Sequence, residues 1–276
     1  MGPIGIFDSG YGGLTVLKEL KRVLPEYDYL YLGDNARAPY GTRSFEVVYE
    51  FTLQAVEELF NRGCSLVILA CNTASAKALR TIQTNDLPKI APDKRVLGVI
   101  RPSTESLGLL SKTGHIGVMA TPGTVKANSY TIEMAKFFPD LKVLEYACPM
   151  WVPLIENNRQ DSEAGKLFIK EDFQNLMSAD SNIDTVVLAC THYPLVSNYL
   201  KEIAPKGVQF ISQGEIVADR LKDYLNRHPE IEQSCIKHSR LQFLTTETTE
   251  IFEEKATLFF GQQVKAESIH LGSSKN

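Results

Sequence analysis

Eight short runs of almost unbroken apolar residues limit what this chain can fold into. They are PIGIF (3–7), YLYLG (29–33), LVILA (66–70), VLGVI (96–100), IGVMA (116–120), VLEYA (143–147), VVLAC (186–190) and VQFIS (208–212). A strand with one face in water alternates apolar and polar residues, whereas a strand covered on both faces does not need to. Longer amphipathic stretches lie between the runs, and 13–24, 44–62 and 74–85 carry helical periodicity. Buried strands joined by helices indicate an α/β protein with mostly parallel sheets flanked by helices.

The pattern occurs twice. SLVILACNTASA (65–76) and DTVVLACTHYPL (184–195) each run from an apolar strand into Ala-Cys, then polar residues, then a helix. We read two pseudo-symmetric α/β domains, residues 1–97 plus 210–276 on the Cys71 side and residues 98–209 on the Cys190 side. In open α/β sheets ligands bind beyond the carboxyl ends of the strands. FDSGYGG (7–13), GDNARAPYG (33–41), ATPGT (120–124) and ACPMWVPLIE (147–156) stand there beside both cysteines. If the domains face each other, these loops line one interdomain cleft, the expected active site.

Composition removes several function classes. The net charge is −4 with no basic run, which disfavours nucleic acid or an anionic membrane surface as partner. No apolar stretch approaches the roughly 18 residues of a membrane span. MGPIGIFDSG lacks the charged and apolar regions of a signal peptide, and Ile6 replaces the Ser or Thr of a myristoylation signal. Five cysteines, none in a CxxC pair, fit reduced thiols in a cytoplasm, and metal-ligand spacing is absent. The glycines at 10, 12 and 13 match neither a dinucleotide fingerprint nor a phosphate loop, and a tight strand-to-helix turn accounts for them.

The polar residues at the strand ends suit a small dicarboxylate that carries an ammonium group. Asp8 fits the ammonium. Helices expected after residues 9, 72, 121 and 191 would offer free N–H groups to carboxylates. Ser9, Thr73, Thr121 and Thr191 either bind such a ligand or simply cap those helices. Cys71 and Cys190 both precede expected helices, and thiolates are favoured near helix N-termini and protonated histidines. His192 lies two residues from Cys190, and Asp8 is expected near Cys71. Two thiols across a ligand allow one to take a proton from a carbon while the other delivers one to its opposite face. Cys64 and Cys235 read as incidental, Cys148 as structural, and His115, His228, His238 and His270 as surface residues.

IGIFDSGYGGLTVLKEL, YLGDNARAPYG, LVILACNTASA, IGVMATPGT, CPMWVPLIE and VVLACTHYPL stand in an order and spacing that resembles the bacterial glutamate racemases of the aspartate/glutamate racemase superfamily. The likeness spans nearly the whole chain. It implies a cofactor-independent isomerase, with neither pyridoxal phosphate nor metal, that interconverts L- and D-glutamate and supplies D-glutamate for peptidoglycan. It implies Cys190 as the thiol acting on L-glutamate and Cys71 as the one acting on D-glutamate, with Asp8, His192 and Glu156 as auxiliary groups. The substrate contacts implied are Asp8, Ser9, Tyr40, Gly41, Asn72, Thr73, Thr191 and His192, and the assembly implied is a homodimer. GVIRPSTES (98–106) departs from the family's commoner wording, and Arg101 there is either a surface residue or an interdomain contact. Some relatives carry an N-terminal extension linked to activation by a peptidoglycan precursor; with two residues before its first strand, this chain is not expected to share that regulation. The competing readings are a racemase of aspartate or a hydantoin, a non-catalytic amino-acid-binding protein, and a redox protein bridging Cys71 to Cys190.

Overall fold

The apolar runs become strands, and every strand pairing in the two sheets is parallel. The computed structural model describes residues 1–272. The strands are β1 (Ile4–Asp8), β2 (Tyr29–Gly33), β3 (Leu66–Leu69), β4 (Arg95–Gly98), β5 (His115–Ala120), β6 (Lys142–Ala147), β7 (Thr185–Ala189), β8 (Gln209–Ser212), β9 (Leu241–Thr245) and β10 (Ala266–Ser268). One sheet has the order β10-β9-β2-β1-β3-β4 and the other β6-β5-β7-β8. β1 and β7 lie inside their sheets and are buried along their whole length, which is why their sequences need no polar face.

β9 and β10 had no counterpart in the apolar runs. β10 is the three-residue edge strand AES, and β9 is followed directly by polar residues, so neither stands out as a buried run. The single helix expected over 74–85 is a string of shorter pieces. It begins earlier, at Asn72–Lys77, passes through a π-helical turn at Ile82–Asp86, and ends at Leu87–Ile90 with Pro88 in its first turn. The proline has no N–H to give to the preceding turn, and the π-helical turn directly before it is where the regular ladder is interrupted.

The chain crosses between the sheets twice. It leaves β4 through the helix Ile100–Leu107 to reach β5, and returns from β8 through the helix Gln213–Arg227 towards β9. That second helix packs along the helix Leu14–Val23, which follows β1. The carboxyl ends of β1 and β3 thereby meet those of β5 and β7, and the polar loops come together.

Packing also fixes the helix Trp151–Glu156 after β6. Trp151 is fully buried against Tyr193, with ring centroids 4.7 Å apart, and the Tyr193 hydroxyl donates to the Cys148 carbonyl at 3.0 Å. An aromatic pair of this kind contributes about 0.5–1.5 kcal/mol beyond its buried area. It holds the helix that carries Glu156 against the turn that carries His192.

Candidate active site

Asp8, the last residue of β1, is completely buried. Its Oδ2 accepts the Gly10 N–H at 2.9 Å, and its Oδ1 accepts the Thr191 hydroxyl at 3.4 Å. Thr191 lies just beyond β7, so this contact joins the ends of the two sheets. Burial raises the Asp8 carboxyl above its ordinary range; the charge of His192 and the Gly13 and Gly10 N–H groups oppose that rise.

Cys71 follows β3 and is the N-cap of the helix Asn72–Lys77. Its sulfur accepts the Ala74 N–H at 3.4 Å and lies 3.4 Å from the Ser9 hydroxyl. Burial, and then the negative charge of Asp8, pushes the thiol up to about 12, while Ser9 and the Ala74 N–H favour the thiolate. Cys190 is near enough that its charge also raises Cys71. These surroundings favour Cys71 as a thiol, the form that donates a proton.

Cys190 has a different partner. Its sulfur is 3.9 Å from His192 Nδ1, and His192 Nε2 is 2.9 Å from Glu156 Oε1. Phe259 presents its ring edge-on to the imidazole at 5.1 Å. Burial alone would lower the His192 pKa, but the hydrogen bonds and charges of Cys190 and Glu156 overcome it and raise the value to about 10. An imidazolium thus stands beside the second thiol.

The two halves approach closely at three glycines. A β-carbon at Gly12 would lie 2.2 Å from Thr191 Oγ1 and 2.5 Å from His192 Nδ1. One at Gly41 would lie 2.9 Å from Thr121 Cβ, and one at Gly123 2.7 Å from the Gly41 carbonyl oxygen. The Gly123 N–H donates to that same oxygen at 2.7 Å, and Thr73 and Thr121 share a hydroxyl hydrogen bond at 2.9 Å. The turn reading of the 10–13 glycines is therefore incomplete. None of Gly10, Gly12 and Gly13 is among the residues with positive φ, and at Gly12 the requirement is close approach across the cleft.

Several expectations are corrected. The chain after Ser9 turns through Gly13 before a helix starts at Leu14, and Thr191 leads into the 3-10 turn Tyr193–Val196. Of the four hydroxyl residues only Thr121 is an N-cap, accepting the Thr124 N–H at 3.4 Å; at Cys71 the thiol itself does the capping. The Tyr40 side chain is buried between Phe7 and Phe51 and donates its hydroxyl to Asp34, so only its main chain is left for a ligand. Cys64, Cys148 and Cys235 are all buried, and all five cysteines are free thiols. His115 is not a bare surface residue: its Nδ1 is 2.6 Å from Asp180 Oδ2. Arg101 pairs with Glu105 on its own helix and lies over the Phe137 ring, on an exposed face.

The loops after the strands thus bring together Asp8, Ser9, Gly41, Cys71, Asn72, Thr73, Thr121, Cys190, Thr191, His192 and Glu156. Three further side chains near them, the half-buried Thr15 and the buried Tyr130 and Gln213, stand outside the expected set. Thr15 donates its hydroxyl to the Thr191 carbonyl at 3.0 Å, and Tyr130 and Gln213 both bond the Asn72 amide. Gln213 directly follows β8, the same place in its strand-loop unit that Cys190 occupies after β7, and that position was the signal available for it. Among the described residues no group of three His, Cys, Asp or Glu side chains is arranged to hold a metal ion. No helix among them is long and apolar enough to cross a membrane.

Comparison with known proteins places this arrangement. The sequence model of the Asp/Glu/Hydantoin racemase family matches residues 8–221. A glutamate racemase of Streptococcus gordonii is 37% identical over 273 residues, covering 98% of each chain. The crystal structure of a glutamate racemase isoform from Bacillus anthracis matches with a TM-score of 0.88 at 34% identity, over 98% of this chain and 97% of that one. The glutamate racemase of Francisella tularensis, solved in complex with D-glutamate, gives 0.85 at 31% identity, over 99% and 98%. The chain belongs to the Asp/Glu/hydantoin racemase family and stands among its glutamate racemases.

Proposed function

We propose that this protein interconverts L- and D-glutamate by proton transfer at Cα between two thiols, without a cofactor. The observation that carries the reading is the placement of Cys71 and Cys190 at equivalent strand ends of two facing sheets, each with its own polar partners. The D-glutamate bound by the Francisella tularensis relative supports the choice of substrate.

In the L-to-D direction, the Cys190 sulfur, as thiolate beside the His192 imidazolium, takes the α-proton. The Cys71 thiol delivers its own proton to the opposite face. The product leaves with the protein's proton moved from Cys71 to Cys190, and the D-to-L reaction is the reverse. His192 tunes Cys190, Glu156 holds His192 charged, and Asp8 serves the substrate ammonium and the Cys71 side. Ser9, the main chain at Tyr40 and Gly41, and the donors of Asn72, Thr73, Thr121 and Thr191 hold the two carboxylates. Fixed donors of this kind supply the electrostatic stabilisation that a carbanion without an electron sink requires. The two sheets act as two domains closing on the substrate, with the expected boundaries near 97 and 210 moved to the ends of β4 and β8 so that neither strand is cut. The setting we assign is cytoplasmic, as a homodimer, making D-glutamate for peptidoglycan.

The test is purified protein given L-glutamate in D₂O with no added cofactor. Decay of the circular dichroism signal, with deuterium at Cα of the product by NMR, is the expected result. A folded, reduced protein that binds glutamate and leaves its configuration unchanged would instead be a binding protein with idle thiols.

A further inference from the structure

Behind Cys71 lies a closed ring of buried hydrogen bonds that the proton-transfer scheme leaves unused. The Asn72 Nδ2–H donates to Gln213 Oε1 at 2.7 Å, the Gln213 Nε2–H donates to the Tyr130 hydroxyl at 2.6 Å, and that hydroxyl donates to Asn72 Oδ1 at 2.7 Å. Each member gives one bond and receives one. All three side chains are buried, with exposures of 2%, 4% and 0% for Asn72, Gln213 and Tyr130. The second Nε2 hydrogen of Gln213 goes to Ser103 Oγ at 2.8 Å, and Ser103 in turn donates to the Val99 carbonyl at 2.7 Å.

The sense of the ring is set by Gln213, whose Nε2 also faces Ser103 Oγ and, at 3.4 Å, the Val99 carbonyl, so reversing the whole ring would turn Oε1 against that carbonyl. Rotating the Asn72 amide by half a turn would set its oxygen against Gln213 Oε1 and its NH₂ against a hydroxyl that already receives a donor. Two buried acceptors facing each other lose both bonds and keep the desolvation cost, about 1–3 kcal/mol per orphaned group. Rings of this kind also polarise one another in a dry interior. The amide of Asn72 is thus locked, with one Nδ2 hydrogen outside the ring.

The members come from distant parts of the chain. Asn72 follows Cys71 after β3, Tyr130 belongs to the helix Ser129–Phe137 after β5, and Gln213 opens the second crossover. Ser103 and Val99 belong to the first crossover. Gln213 therefore gathers both crossovers and a helix of the smaller sheet at the residue adjoining the Cys71 thiol.

We infer that Gln213 and Tyr130 are positioning residues for the racemisation, holding the Asn72 amide and the Cys71 turn in the orientation that meets a substrate carboxylate. The inference rests on the racemase reading above, since it assigns Asn72 to that carboxylate. Neither residue touches the substrate; each acts through Asn72.

The experiment compares wild type with Gln213→Met, Tyr130→Phe, the double variant and Ser103→Ala. It measures steady-state racemisation in both directions and, without substrate, NMR hydrogen exchange of the Asn72 side-chain amide. We expect slow exchange in wild type and at least about tenfold faster exchange in both ring variants. We expect kcat/KM to fall about 10- to 100-fold in each, the scale of a small misplacement of a binding group, with KM raised. The double variant should lose no more than the worse single one, because the ring breaks only once. Ser103→Ala, outside the ring, should match wild type. The inference is overturned if folded Tyr130→Phe or Gln213→Met keeps wild-type kcat/KM, if their losses multiply, or if Asn72 exchange is unchanged. Tyr130→Phe removes a single oxygen and decides the question if Gln213→Met does not fold. Wild-type protein inactive on glutamate would sink the racemase reading alone, since the exchange measurement still judges the ring.

Discussion

Gly12 faces Thr191 so closely across the cleft that a β-carbon on the glycine would lie 2.2 Å from the threonine hydroxyl oxygen. The distance between the sheets at the site is therefore set by the absence of a side chain. Gly12→Ala must separate the two loops or displace His192, whose Nδ1 would lie 2.5 Å from the same atom. We expect a stability loss of about 1–3 kcal/mol, as for other overpacked sites. Activity should fall by about 100-fold, since the displaced groups adjoin both thiols. Denaturation and steady-state racemisation check this, and a variant with wild-type kcat/KM would show that the loops part without consequence.

Removing one thiol should separate the half-reactions. In Cys71→Ala the Cys190 sulfur remains, so L-glutamate in D₂O should exchange its α-proton with retention while racemisation falls by about 10³-fold or more. Cys190→Ala should show the converse with D-glutamate. NMR of each enantiomer reads both effects, and racemisation near the wild-type rate in either variant would end the two-thiol scheme.

Protonation of His192 makes stability depend on pH. Its pKa is raised to about 10 from 6.5, so above 6.5 the native protein keeps a proton that the unfolded chain releases. The stabilisation is full below pH 6.5 and is lost as pH rises through about 10. Cys71, raised from 9.0 to about 12, adds a decline in the same direction above pH 9. Calorimetry should show Tm falling between pH 7 and 10 in wild type and a flatter profile in His192→Asn. Equal slopes would mean that His192 is neutral in the folded protein.

Tyr40 offers a contrast between place and chemistry. Its hydroxyl bonds the buried Asp34, not the cleft, so Tyr40→Phe should cost about 1 kcal/mol of stability, the usual net value of such a bond. The KM for glutamate should stay within about threefold of wild type, which by the same arithmetic is under 1 kcal/mol of binding. A KM raised tenfold or more, at unchanged stability, would place the phenol on the substrate.

The strand framework was legible because burial on both faces forces near-continuous apolar runs, as in IGIF within β1 and VVLA within β7. β10 was invisible for the opposite reason: an edge strand of three residues needs no apolar signature. The cysteines and their polar neighbours could be read from where they stand, after the strands. Their differences could not. That Cys71 caps a helix with its own sulfur while Cys190 faces an imidazole depends on turns that single residue types do not specify. Gly12 looked like a turn residue because its constraint comes from Thr191 and His192, some 180 positions away. Gln213 carried no chemical flag at all, since a glutamine becomes informative only when its partners are known.

The six-stranded sheet is assembled from both ends of the chain. β9 pairs with β2, residue by residue from Tyr29–Leu241 to Gly33–Thr245, although some two hundred residues separate them. During synthesis the four-stranded sheet, contiguous from β5 to β8, can complete its hydrogen bonding first. The outer edge of β2 stays open meanwhile, an unpaired strand of the kind that invites association with other chains. A chain stalled on the ribosome before residue 241 would therefore expose that edge, and shielding by a chaperone would be needed on this half of the molecule before the other.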